Sequence, residues 1–273
     1  AKGMKSLNEL DYIQAIDSDT RRWLPLFVYA GEYSEGRRRM RPKDGKHELT
    51  TRIDIPLYKR KGYTEGQADD RYQGSRIAHS LKYRYKLGNR LSAGITIDKD
   101  PGEPVGGPFE LGYDFVGGHV MLKNLGWLQA LVAGDYQLGF GQGLLINQRF
   151  AIGKQMQAAN ATRSIAAKSS AAEFHYMRGV AATAGMGGGV SLTAFFSYNL
   201  IDATLRSGTK QASSLSTVST HRTRNEISKR HNTSETVAGA HAEWKGRHCQ
   251  LGATGFYSRY HLPFSRSTEA YRR

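Results

Sequence analysis

The chain has 273 residues and a formal net charge of +15, from 39 Lys plus Arg against 24 Asp plus Glu. Its one cysteine, Cys249, excludes a disulfide framework and a cysteine-cluster metal site. No run nears the ~18 apolar residues of a transmembrane helix, and 31 glycines with 15 tyrosines argue against both a helical bundle and a chain disordered throughout.

Residues 1–30 hold the one helical stretch. Ser6 with Glu9 three places on is a capping-box signature, and Leu7, Leu10 and Ile13 follow at helical spacing. Asp17-Ser18-Asp19 offers a second cap, before a short helix carrying Trp23 and Leu24 that Pro25 stops. This predicts a short helical hairpin. The Gly-x-Gly turn through which such hairpins meet DNA phosphate is replaced by Gln14-Ala15-Ile16-Asp17.

Residues 31–46 form a basic linker. Arg37, Arg38, Arg39 and Arg41 would attract nucleic acid or anionic lipid, and a solvated, flexible tether has the same composition.

From residue 47 the period becomes two. Leu49, Thr51, Ile53, Ile55 and Leu57 alternate with Glu48, Thr50, Arg52 and Asp54. A second strand over 77–87 sets Leu81, Tyr83 and Tyr85 against Ser80, Lys82, Arg84 and Lys86. The turn Gly88-Asn89 joins it to a third carrying Leu91, Ala93, Ile95 and Ile97, a hairpin. Further pairs are expected at 109–123 with 128–138, 174–186 with 190–200, and 236–244 with 249–260. The connections at 58–76, 99–108, 139–173 and 201–235 are long and polar.

Tight turns thus alternate with long loops, strands run to ten residues or more, and one strand face is charged. An outer-membrane barrel has this pattern, because hydrocarbon cannot satisfy backbone polar groups and the strands must pair all round. Tyr83, Tyr85, Tyr113, Trp127, Tyr198, Trp244 and Tyr257 near strand ends suit interfacial girdles. The expected class is all-β: an antiparallel up-and-down meander, part of an outer-membrane-type β-barrel, preceded by the helical hairpin. Residues 47–273 supply its N-terminal part, about nine strands. An odd strand count leaves such a barrel unfinished, so the sequence reads as a fragment with its N-terminal segment periplasmic. Core packing in a soluble basic β protein that binds nucleic acid is the alternative.

No catalytic constellation stands out, so an enzyme and a cofactor are not expected. Gly139-Phe140-Gly141-Gln142-Gly143 looks like a phosphate loop but has no dinucleotide-binding context, and a glycine-rich strand end is favoured. Asp135 and Gln137 share a face opposite Tyr136, Leu138 and Phe140, where they would line a pathway or tie an inner network. His241, His248 and Cys249 flank a hairpin turn without metal-ligand spacing, so no metal is expected.

Gly134-Asp135-Tyr136-Gln137, Phe140-Gly141-Gln142-Gly143-Leu144 and Gly153-Lys154 resemble a family of large Bacteroidota outer-membrane proteins with helix-hairpin-helix domains. Support comes from Tyr85–Leu91, Lys99–Pro104, His221-Arg222-Thr223 with Glu226-Ile227, and Leu262-Pro263-Phe264. Residues 7–28 are similar to the last hairpin before that family's barrel. The resemblance implies an outer-membrane barrel in a transport or anchoring role, embedded in a lipid bilayer. It also implies competence-protein-like hairpins upstream, through which DNA would be a partner, and it singles out Asp135, Gln137 and Gln142.

Overall fold

The computed structural model describes residues 17–24, 41–106, 112–141, 143, 145–148, 164–206, 208, 211–216 and 220–264. The chain divides into two units, residues 1–41 and 42–273. In the first, helix α1 (Ser18–Trp23) is capped by Asp17, whose carboxylate accepts from the Asp19 and Thr20 amides at 3.1 and 2.9 Å. This is the second of the two expected helices. The first lies outside the described residues.

The second unit is all-β. Its long strands are β1 (Lys46–Asp54), β2 (Ala78–Leu87), β3 (Leu91–Lys99), β4 (Phe115–Leu125) and β5 (Leu128–Leu138). After the short β6 (Ile165–Ala167) come β7 (Met177–Gly187) and β8 (Val190–Ile201). The small β9 (Ala203–Leu205) and β10 (Ala212–Leu215) pair with each other, and helix α2 (Arg224–Lys229) precedes β11 (Thr233–Lys245) and β12 (Gln250–Tyr260). One antiparallel meander runs β1-β2-β3-β4-β5-β7-β8-β11-β12, with β6 added beside β5. β1 and β12 are its two edges, and the sheet is not closed. All four hairpin turns lie at one end of the strands and all four long connections at the other.

Residues directly opposite one another across a ladder share a face, so the register traces each face across the whole sheet. One line reads His47–Tyr85–Ala93–Val120–Ala133–Val180–Phe196–Ala238–Tyr257. Another reads Leu87–Leu91–Leu122–Leu131–Ala182–Ala194–Ala240–Gly255. Neither carries an acidic residue, a lysine or an arginine. The opposite face reads Glu48–Arg84–Gly94–His119–Gly134–Gly179–Ser197–Val237–Ser258. On β4, Val116 and Val120 of the first face are 53% and 49% exposed, whereas His119 and Met121 of the opposite face are 8% and 2%.

The inner face is covered from within. Pairing of β5 with β4 ends at Gly134, whose φ of +97° kinks the strand where any Cβ would meet the Gly118 carbonyl. Beyond the kink β6 takes the place of β4 as neighbour. The chain then turns across the inner face, and the Phe140 ring stacks on His241 of β11 at 4.3 Å and lies 5.9 Å from Phe195 of β8. Phe140, Ile146 and Ile165 pack with Met121, Val132, Tyr136, Leu138, Met177, Ala181, Phe195 and Val237 into the one apolar cluster of the described residues. This plug covers the middle of the sheet and leaves β1 exposed along its whole length.

Most strands begin or end within two residues of expectation. β4 starts at Phe115 rather than at 109, because Asp114 is drawn into side-chain contacts at the loop end. α2 replaces part of an expected loop. Tyr113 does not join an outer girdle: it packs edge-on against His79 and lines an inner cavity.

Candidate functional site

Asp135 sits where β5 leaves β4. The Gly118 amide, left without a ladder partner there, donates to Asp135 Oδ2 at 3.1 Å. Arg178, directly opposite on β7, donates from Nε to Oδ1 at 2.7 Å and from Nη2 to Oδ2 at 3.1 Å. A Cβ on Gly117 would lie 2.4 Å from Asp135 Oδ2, so glycine makes room for the carboxylate. Gln137 Nε2 donates to the carbonyls of Gln148 and His175 at 2.9 and 3.1 Å, holding both ends of the plug connection. Tyr136, fully buried, donates to the Phe196 carbonyl at 2.7 Å. Asp135 therefore ties β4, β5 and β7 together where their pairing changes, while Gln137 fastens the connection that follows β5. Arg41 is exposed, while Gln142, Arg37, Arg38 and Arg39 lie outside the described residues.

A second cluster gathers at the loop end. His221 lies between two carboxylates, with Nδ1 2.7 Å from Asp114 Oδ1 and Nε2 2.5 Å from Asp202 Oδ2. Its own amide donates to Glu103 Oε1 at 3.0 Å. The other Glu103 oxygen accepts from the Asp100 amide at 2.7 Å. Arg230 adds Nε at 3.1 Å from Asp114 Oδ1 and donates to the Asp114 and Tyr113 carbonyls. Asp202 Oδ1 accepts from the His231 amide at 2.7 Å. Thr223 and Glu226 close a capping box at the start of α2, and the adjacent Arg222 carbonyl accepts from the Gln73 amide at 2.8 Å. Three long connections are thereby knitted together around one imidazole.

Burial opposes the charge on His221, but the two carboxylates outweigh it and push its pKa up to about 10. Burial, then the charge of Asp114, raises Glu103 to about 7. Burial, followed by Asp114 and Glu103, raises Glu173 to about 8. His221, Asp114, Asp202 and Glu173 border a cavity of about 610 Å³ lined also by Phe115, Tyr176, Asn199 and Tyr260. Glu103, Asp114 and His221 each offer a ligand atom, all within 4.8 Å of one another, which is a donor set of the kind that holds a metal. Both ring nitrogens already face carboxylate oxygens, so as arranged the ring serves as a cation and not as a ligand.

The sequence pattern did not identify this cluster. Lys99–Pro104 and His221–Thr223 stood out only through the family resemblance, with no role attached. The one local signal was Thr223 with Glu226, a capping box inside what read as a polar loop.

No protein-family model, curated protein or solved structure matches this chain, so the resemblance around 134–143 rests on those residues alone.

Proposed function

We propose that this chain is wall and plug of an outer-membrane-type β-barrel, a non-enzymatic protein with a transport or anchoring role. The observation that supports it is the apolar outer face, carried in register across nine strands, opposite an inner face on which Lys46, Glu48, Lys82, Arg84, Lys86, Ser197 and Ser258 surround the plug's apolar cluster. In water such a face would leave Leu49, Ile53, Ile95, Val120, Leu192, Phe196 and Leu251 unsatisfied together, well beyond the scattered exposed apolar residues of soluble proteins. An 11-residue strand rises roughly 33–36 Å, and a tilt near 45° brings this to about 24 Å, the height of an outer-membrane apolar band. The short turns then face the periplasm and the knitted loops the exterior. An imidazolium held between two carboxylates offers neither a free base nitrogen nor an acid useful at neutral pH, which favours a structural role for the loop cluster.

Trp127 and Trp244 provide the test, since both lie exposed near the turn end of the sheet. A Trp23→Phe chain reconstituted into vesicles of phosphatidylcholine brominated on its acyl chains is expected to lose Trp fluorescence relative to unbrominated vesicles. A chain that stays monomeric in detergent-free buffer and shows no quenching would refute the reading. Tight, steeply salt-dependent DNA binding in that buffer would favour the soluble nucleic-acid-binding alternative.

A further inference from the structure

We propose that the inner face of β1 to β4, beside the tight turns, binds a phosphate group, delivered as a free phosphate anion or as a lipid headgroup. Lys46 stands directly opposite Lys86 across the β1–β2 ladder, and Lys82 and Arg84 follow on the same face of β2. Like charges placed opposite one another repel, so an unneutralised ladder of this kind works against its own pairing. One carboxylate, Glu48, is nearby, and it is taken by Arg84 Nη2. Among the described residues Lys46, Lys82 and Lys86 form no ion pair. Arg84 also keeps a buried Nε without a hydrogen-bond partner.

A hollow of about 240 Å³ between the sheet and the β6 segment has Arg84, Lys86 and Lys123 in its wall. Lys46 and Lys82 stand beside it on the same sheet face, opposite Lys86 and two residues before Arg84. A multiply charged oxyanion satisfies what is missing there: it accepts from ammonium and guanidinium donors together and relieves several repulsions at once. Phosphate has that charge and that acceptor count. A nucleic-acid strand fits less well, because Tyr85 alone among the described Tyr, Phe and Trp residues borders the hollow, and one ring offers no platform for successive bases. The site does not depend on what the outer face meets, since the register fixes the inner face in any medium.

The test is calorimetric titration of the full chain, in zwitterionic micelles at fixed ionic strength, with sodium phosphate and separately with dihexanoyl phosphatidic acid. Saturable binding is expected, weakened about tenfold or more in Lys82→Gln/Lys86→Gln. The charge-matched Lys59→Gln/Lys61→Gln chain, altered in the exposed first loop, should bind as the parent does. Saturation by phosphate alone identifies a free-anion site, and saturation only by the lipid identifies a headgroup site. Should the β2 variant misfold by circular dichroism, Lys46→Gln at the exposed start of β1 carries the same expectation in weaker form. Absence of saturation with both probes, or equal weakening in the two double variants, overturns the proposal.

Discussion

Replacing Asp135 by Asn is the sharpest probe of the junction of β4, β5 and β7, because it keeps volume and removes only charge. The Asp135 side chain is 3% exposed and the Arg178 side chain 40%. A fully buried pair broken on one side loses about 3–5 kcal/mol. The half-solvated guanidinium recovers part of that in water, which lowers the figure. The Gly118 amide keeps an oxygen acceptor but loses its charge assistance, from an interaction worth about 1.5–3 kcal/mol. Together these give about 2–3 kcal/mol, or roughly 30- to 150-fold in the folding equilibrium. Arg178→Gln should be at least as damaging, since it leaves a carboxylate buried with one amide donor. The double variant should then fall short of the sum by about 1–2 kcal/mol. Reversible urea unfolding in zwitterionic micelles, followed by Trp fluorescence, measures all four chains. Single effects that add to within about 0.5 kcal/mol would refute the claim that the two side chains act as a pair.

Further outcomes follow from the loop cluster and the plug. The folded pKa of His221, about 10, lies above its ordinary 6.5, so its contribution is whole below pH 6.5 and is lost as pH rises through about 10. Glu103 and Glu173, raised from 4.5 to about 7 and about 8, act in the same direction, because the folded chain holds protons that the unfolded chain releases. Thermal midpoints should therefore fall from pH 6 to pH 10, and His221→Gln should lower stability at pH 6 by about 3 kcal/mol while flattening the decline above pH 8. Phe140→Ala should cost about 3–4 kcal/mol by the same urea assay, having removed a buried ring stacked on His241.

Strands were legible because their alternation is set residue by residue. β5 was expected at 128–138 and lies at Leu128–Leu138, since Leu131, Ala133 and their neighbours read out a face directly. Turn chemistry did the same at Gly88 and at Gly187-Gly188-Gly189, where positive φ requires glycine. Asp135 and Gln137 were legible as sharing one strand face, but their partners were not. Arg178 is 43 positions from Asp135, and the Gly134 kink that orphans the Gly118 amide depends on where β6 returns. His221 was still less accessible. Asp114 and Asp202 lie 107 and 19 positions away, in connections whose composition signals solvent exposure, and nothing periodic links them.

The inner face is ordered along the strands in a way that bears on what a barrel closed around it could do. Carboxylates Glu103, Asp114, Glu173 and Asp202 gather at the loop end. The cations Lys46, Arg84, Lys86 and Lys123 gather at the turn end. Between them lies the apolar belt of Tyr136, Phe140, Ile165, Phe195 and Val237. An ion attracted to either end meets that belt, whose buried polar groups Thr183, Thr193 and His241 are already engaged with one another or with Thr254. Its lost hydration is therefore poorly replaced, a penalty of several kcal/mol. On the barrel reading, charge at the two ends therefore captures and does not conduct. On the same reading, passage of a charged solute would require Phe140 and Ile146 to leave the inner face. The contacts that resist this are the hydrogen bond from Gln137 to the Gln148 carbonyl and the Phe140–His241 stack, so variants that loosen either should also be the ones that let a closed barrel conduct.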